Sequence, residues 1–308
     1  MTNKDQHVAI LMCTHNGAAH LEAQLQSFAM QTHKDWSLWV SDDGSTDKTR
    51  AMIDDFRDAH PGHRVTVVPG PCEGAAQNFL SLIHRTQVPA GLIALSDQDD
   101  VWLPHKLARA VSIVGDGDVP IAYGAQSIVG NDDLSTQRAP KNRLWPAHFG
   151  NALVQNILSG HTLVLNHAAH KILRRAGRPR QIVFHDWWIY QVMAGHGVAC
   201  IVDDAEVVIY RQHAGNTLGV SRGPGAAVAR AKMVINGTFG AWSAAHREAL
   251  WDGRDVLSAD AVELLRVLQD ETRPAGPGRV AALHRLGVRR TSRAGNALLD
   301  LAALLGRF

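Results

Sequence analysis

Asp97 and Asp99 stand two residues apart at the end of the apolar run LIALS (92–96). The side-chain period of an extended chain is two, so both carboxylates project the same way. Paired hard oxygens of this kind hold magnesium or manganese together with diphosphate oxygens, in preference to zinc. The bland alternative is a loop of solvated acids capping the helix after Pro104, and the apolar neighbours on either side count against it. Asp42-Asp43-Gly44-Ser45-x-Asp47 reads as a turn with a Ser or Thr helix cap. It reads equally as a carboxylate at a strand end that accepts the imide N–H of uracil or thymine. Thr14-His15-Asn16-Gly17 is a third polar loop, in which Asn-Gly supplies a left-handed turn.

Two further constellations lie downstream. His185-Asp186-Trp187-Trp188 opens a helix, where Asp serves both as a cap and as a partner of the helix dipole. Two adjacent tryptophans cannot both face one core on a helix. One indole is therefore expected to be partly exposed beside a carboxylate, the kind of surface on which a sugar ring stacks. Tyr210-Arg211-Gln212-His213 follows a strand pattern and opens a Gly-rich segment (215–225) suited to a lid; Arg211 can pair with phosphate and His213 can ligate a metal. His167 and His170 lack an obvious third ligand, which argues against zinc there.

The elements that must position these residues alternate. β-type runs at 8–13, 36–41, 64–68 and 92–96 are separated by helical patterns at 20–30, 47–59, 75–84 and after Pro104. Such a βαβα series predicts a mostly parallel sheet with helices on both faces and ligands beyond the carboxyl ends of its strands. All three polar loops fall at those ends. Further strands are expected near 121–129, 162–165, 198–202 and 207–210, with a helix over 185–194 stopped by Gly195 and Gly197. A soft boundary near 220 divides the chain into a catalytic domain (1–220) and a helical C-terminal extension (221–308).

The 308 residues carry 31 basic and 29 acidic side chains, a net charge of +2, too balanced for a general nucleic-acid binder. The charge is uneven: 271–308 holds seven arginines and two acids. A basic tail beside an acidic body points to a negative surface, first of all a membrane. Leu298, Leu301, Leu305 and Phe308 share one helical stripe, which fits an interfacial helix, packing on the core or a homodimer contact equally well. Cys13, Cys72 and Cys200 form no metal or disulfide spacing, and the apolar run 8–12 is too short for a signal-peptide core. These features suit a cytoplasmic protein, soluble or peripheral on the inner face of the plasma membrane.

Taken in order, THNG, LEAQLQSFAMQT, SDDGSTDKT, GAAQNF, LSDQDDVWLPHK, HDWW and YRQHAGNTLG resemble the inverting family 2 glycosyltransferases and their rhamnosyltransferase-like branch. The resemblance implies the GT-A fold, an α/β architecture with a Rossmann-like mixed sheet. It implies that Thr14, His15, Asp42, Asn78, Asp97 and Arg211 bind the donor and that Asp99 and His213 serve the metal, Mg2+ or Mn2+. Asp186 becomes the general base, with Trp187 and Trp188 beside the acceptor. The implied partners are a dTDP- or UDP-linked sugar and a cell-surface polysaccharide or lipid-linked glycan. The sequence departs from the family where His15 replaces the common Tyr or Phe and where His185 replaces the frequent Glu. Two rivals stand beside this reading. One is a haloacid-dehalogenase-like phosphohydrolase with Asp97 as nucleophile and Asp203-Asp204 as its downstream acids; the other is a non-catalytic sugar-binding module of the same fold.

Overall fold

A computed structural model describes residues 6–89, 91–115, 117–137, 147–213, 224–269 and 274–308. The first half runs β1 (Val8–Thr14), α1 (Leu21–Ala29), β2 (Trp36–Asp42), α2 (Thr49–Ala59), β3 (Val65–Pro69), α3 (Ala75–Ile83) and β4 (Leu92–Ser96). Next come β5 (Val101–Trp102), α4 (Lys106–Val114), β6 (Ile121–Gly130), β7 (Thr136–Gln137) and α5 (Phe149–Ala152). The body closes with β8 (Val164–Leu165), α6 (His167–Arg175), α7 (His185–His196) and β9 (Ala199–Arg211). Five helices follow: α8 (Pro224–Ile235), α9 (Thr238–Asp252), α10 (Ala259–Gln269), α11 (Pro277–Arg285) and α12 (Arg293–Leu304). The Gly-rich segment read as a lid falls almost wholly outside the described residues.

The sheet order is β3-β2-β1-β4-β8-β6-β9-β5, with β7 paired to β6. Strands β3, β2, β1 and β4 are parallel, whereas β8 is antiparallel to both β4 and β6. The chain leaves β1 toward β2 on one side and later returns to β4 on the other. The carboxyl ends of β1 and β4 therefore flank a topological switch point, the place where open α/β sheets bind ligands. The observed sheet is mixed, because the second half joins it through the antiparallel β8.

Alternation along β1 fills a core on each face of the sheet. Val8, Ile10 and Met12 pack with α1, α2 and α4 residues such as Leu25, Phe28, Ile53 and Leu107. Ala9, Leu11 and Cys13 face Phe79, Leu80, Ile83 and Trp188. That second core continues without a break into Val234, Leu250, Leu265, Leu283, Leu299 and Phe308 of the C-terminal helices. The tail thus packs against the body. Its buried stripe is Leu299, Ala302 and Ala303, while Leu304 and Leu305 face solvent.

One expected break is absent. The runs near 198–202 and 207–210 form the single strand β9, whose register with β6 shifts between Gly124 and Ser127. Asp203 and Asp204 look like turn residues in sequence. Asp203 instead accepts hydrogen bonds from Arg109 Nη2 (2.7 Å) and the Tyr123 hydroxyl (2.8 Å), which keep it within the strand.

Candidate active site

The loops after β1, β2 and β4 are stitched into one rim. Thr14 Oγ1 donates to Asp42 Oδ1 at 2.9 Å, and Ser45 Oγ donates to the same oxygen at 2.6 Å. Arg50 approaches the other Asp42 oxygen at 3.3 Å. Asn16 takes the left-handed backbone at φ +49°, and its side chain accepts from Thr46 N at 2.9 Å. Gln98 accepts from His15 N at 2.9 Å and donates to His15 O at 3.1 Å, locking the β4 loop to the β1 loop. A Cβ on Gly17 would lie 2.3 Å from Gln98 Oε1, so a larger residue there would push the Gln98 amide out of this crossing.

Thr14, His15, Asn78, Asp97, Asp99, Asp186 and Trp187 all line one cleft of about 1270 Å3. Asp42 is turned inward onto Thr14, Ser45 and Arg50, and it is the next carboxylate, Asp43, that faces the cleft. Backbone N–H groups of Cys72 (2.6 Å) and Gly74 (3.2 Å) hold Asp43 there. Sequence reading had passed over Asp43, although the Asp-Asp pair was in view and strand alternation requires the two to point apart. Asn78 Nδ2 donates to Ser41 O at 3.0 Å, while its buried Oδ1 has no protein partner among the described residues.

The acidic end of the cleft is crowded. Burial, together with the charges of Asp99 and Asp186, pushes the Asp97 carboxyl up to about 7, against the opposing effect of Lys106. Asp100, beneath it, is raised by burial and by Asp97 and Asp99. Lys106 is fully buried; its ammonium donates to His161 O at 2.5 Å and sits 3.4 Å from the Trp102 ring centre. Asp97, Asp100 and His161 place one donor atom each within 4.8 Å of one another. At the mouth, His213 Nε2 donates to Asp99 Oδ2 at 2.7 Å. Excess carboxylate charge, hard oxygen donors and an adjoining imidazole make a set that fits a divalent cation.

Arg211 enters the site as a brace. Its Nε donates to Asp99 O at 2.9 Å, its Nη1 donates to Asp132 O, and its backbone N–H donates to Asp100 Oδ1 at 3.3 Å. The guanidinium therefore fixes the loop that carries Asp99. Asp186 sits in the first turn of α7, where its Oδ1 accepts from Trp187 N at 2.7 Å and its Oδ2 from Gly160 N at 3.1 Å. His185 stacks on Phe79 at 3.9 Å, and burial lowers the pKa of its imidazole.

The expectation of an exposed indole in HDWW is overturned. Trp188 is 0% and Trp187 5% exposed. Every residue of α7 from Trp187 to Met193 is buried, as fits a helix covered all round. Helices α3, α5 and α6 and strand β9 pack against it, and α9 and α10 touch it as well. Trp187 keeps one edge on the cleft, with its Nε1 donating to Ala152 O at 2.6 Å, but Trp188 belongs to the core and cannot reach an acceptor. Partly exposed rings reach the cleft from elsewhere: Phe184 just before α7, and Phe239 and Trp242 on α9.

A mixed GT-A-type sheet with a carboxylate pair at its switch point and a lone carboxylate across the same cleft defines a nucleotide-sugar transferase. The family model for glycosyl transferase family 2 matches residues 9–176, and the chain belongs to that family. It is 27% identical over 225 residues to the dTDP-rhamnosyl transferase RfbG of Shigella flexneri, covering 68% of this chain and 74% of that protein. It is 28% identical over 130 residues to the UDP-Glc:alpha-D-GlcNAc-diphosphoundecaprenol beta-1,3-glucosyltransferase WfgD of Escherichia coli, covering 42% of this chain and 49% of that protein. Among solved structures, the mannosyltransferase PcManGT from Pyrobaculum calidifontis, in complex with GDP-Man and Mn2+, superposes with a TM-score of 0.56. The identity is 17%, over 98% of this chain and 87% of that one. S. aureus TarS with UDP-GlcNAc gives 0.55 at 15% identity, over 98% of this chain and 89% of that one. The chain is therefore a family 2 glycosyltransferase. The phosphohydrolase reading fails on this, and its supposed downstream acid Asp203 is spent on Arg109 and Tyr123.

Proposed function

We propose that this glycosyltransferase carries out a metal-assisted, inverting transfer of rhamnose from dTDP-rhamnose to a hydroxyl of a cell-surface polysaccharide or lipid-linked glycan. The observation that carries it is the placing of Asp186 and the Asp97/Asp99 pair in one cleft, on elements that approach it from different parts of the chain. Asp186, held by two backbone N–H groups, takes the proton of the acceptor hydroxyl as that oxygen bonds to the anomeric carbon. The bond to the diphosphate oxygen breaks on the opposite face and its electron pair leaves with the diphosphate, so a single displacement inverts the centre. Thr14, His15, Asp43 and Asn78 form the wall against which the base and ribose lie. Asp42 shapes that wall through Thr14, and Asp97 lies toward the ribose.

Asp99 and His213 would hold the cation, which when bound supplies positive charge to the diphosphate oxygens as they become a leaving group. Arg211 keeps Asp99 in register for that role. The likeness to a dTDP-rhamnosyl transferase supports the donor assignment. No described helix is long and apolar enough to cross a membrane. Exposed Val228, Ile235, Leu304 and Leu305, on helices α8 and α12 that touch one another, support peripheral attachment to a cytoplasmic membrane face.

Calorimetry with dTDP, UDP and GDP, with and without Mn2+, tests this on wild type, Asp99→Ala and Asp186→Asn. The expected result is metal-dependent binding of dTDP, abolished in Asp99→Ala and kept in Asp186→Asn, whose transfer rate falls by at least about a hundredfold. Binding of none of the three by wild type, or equal loss of affinity in Asp186→Asn, would sink the assignment.

A further inference from the structure

We propose that the wall built by Phe184, Trp242 and Phe239 is the acceptor subsite, and that it takes a saccharide ring rather than a lipid chain. The inference rests on the transferase reading and deepens it. At about 1270 Å3 the cleft exceeds the roughly 300–1,000 Å3 usual for a pocket that takes one ligand. One end is furnished for the donor, with Thr14, His15, Asp43, Asn78, Asp97 and Asp99. The other end is built mainly from elements that lie outside the motifs singled out in the sequence, namely α8, α9 and α12. Asp186 belongs to the wall where the two ends meet, so a hydroxyl delivered from the second end arrives at the base.

The rings of this wall are fixed relative to one another. Phe184 meets Trp242 edge-on, with centres 5.2 Å apart and planes at 88°. Phe239 lies nearly parallel to Trp187, with centres 6.4 Å apart and planes at 16°, and Trp187 is pinned by its bond to Ala152 O. Phe184 is only two residues before Asp186, so a ring packed on the Phe184–Trp242 corner presents its hydroxyls beside the carboxylate. Phe184, Phe239 and Trp242 are half-buried, leaving apolar faces open to the cleft.

The choice between sugar and lipid follows from what borders those faces. Gln155, Asn156, Arg290 and Ser292 line the same cleft, beside the apolar Met233, Val234, Leu298 and Leu299. Arg290 Nη1 donates to Val154 O at 2.7 Å and its guanidinium carbon lies 5.6 Å from the Phe239 ring centre. Gln155 Nε2 donates to Thr291 Oγ1 at 3.0 Å. The Gln155 amide and one arm of Arg290 are bonded within the protein, so the cost of an alkyl or prenyl chain laid here falls on the Asn156 amide and the Ser292 hydroxyl, which it would strip of water with no hydrogen bond in return. A pyranose offers both surfaces that the wall requires: C–H faces for the rings and a belt of hydroxyls for the polar border. A lipid-linked acceptor would then be gripped by its terminal sugar, with its lipid outside the cleft.

Release of nucleoside diphosphate from dTDP-rhamnose, or from whichever sugar nucleotide is turned over, is followed with methyl pyranosides of the common hexoses and 6-deoxyhexoses as acceptors. Wild type, Trp242→Ala and Trp242→Phe are compared, with a short-chain prenyl phosphate in detergent as the lipid probe. The expected result is that at least one pyranoside raises turnover. Trp242→Ala should raise that acceptor's KM on the order of tenfold more than the donor's, with Trp242→Phe recovering most of the loss. Equal rises in both KM values in both variants would assign Trp242 to the packing of α9 and overturn the proposal. Turnover raised by no pyranoside, with or without a response to the prenyl phosphate, would overturn it too. Failure of wild type to release nucleoside diphosphate from any sugar nucleotide would instead bring down the transferase mechanism on which it stands.

Discussion

Asp97 is the residue whose chemistry depends most on what surrounds it. Its folded pKa, pushed up to about 7 by burial first and then by Asp99 and Asp186, lies well above that of a carboxyl in the unfolded chain, about 3.9. Between those values the folded protein holds a proton that the unfolded chain has released. Stability is therefore greatest at the acid end of the window and falls as pH rises from about 4 to 7. A divalent cation competes with that proton. The metal-free protein should lose melting temperature between pH 5 and 8, and added Mn2+ should restore more of it at pH 8 than at pH 5. A flat profile in scanning calorimetry, with a metal effect independent of pH, would remove Asp97 from the charged cluster. Little of this was legible in the sequence. The DxD spacing announces two parallel carboxylates, but their company, Asp186 from α7 and a buried Lys106 from α4, arrives from distant segments.

At the scale of elements, the βαβα rhythm predicted the first four strands and placed their carboxyl ends, because burial on both faces leaves short apolar runs bounded by turns. The same periodicity gave the wrong environment for the two tryptophans of HDWW. Whether a helix carries one buried face or is enclosed depends on what lies over it. Helix α7 is enclosed by α3, α5, α6 and β9 and also by α9 and α10, and the last two lie more than forty residues away in sequence. The aromatic wall on α9 was missed for the same reason, since nothing local in TFGAWS announces a cleft. A tighter local constraint sits at Gly160, in the short 3-10 turn (160–162) before β8. A Cβ there would lie 2.9 Å from His185 Nε2 and 3.4 Å from Asp186 Cβ, while the Gly160 N–H holds the Asp186 carboxylate. Both groups it would meet are rooted in the first turn of α7 and cannot swing away freely. Gly160→Ala should thus displace Asp186 by a few tenths of an ångström. Transfer should drop on the order of tenfold or more, with donor affinity within twofold of wild type. A variant that transfers normally would count against Asp186 as the proposed base.

The whole molecule joins its C-terminal helices to the transferase body through one continuous apolar core. Leu283, Val288, Leu299 and Phe308 are all buried in it. Hydrogen bonds tie the same region down: Asn151 Nδ2 donates to Arg289 O at 2.9 Å, and Thr291 N to Gln155 Oε1 at 2.9 Å. Gly240 lets the last turn of chain cross α9, since a Cβ there would stand 2.0 Å from Arg307 O. Burial of those four side chains alone contributes roughly 6–12 kcal/mol. The entropy of ordering the tail offsets part of that, and it is the unbroken core that favours an integral part of the fold over a detachable anchor. An anchor would leave the body intact when cut, whereas here removal of residues 279–308 uncovers the core side of α9 and the part of the cleft that α12 lines. The full chain should unfold in one transition by calorimetry and by circular dichroism. The chain ending at Gly278 should show no cooperative transition and should bind 1-anilinonaphthalene-8-sulfonate at room temperature. A truncated protein that melts cooperatively within about 5 °C of the full chain would mean that the tail adds little to the fold. Its basic charge and exposed leucines would then be free to serve a surface outside the molecule.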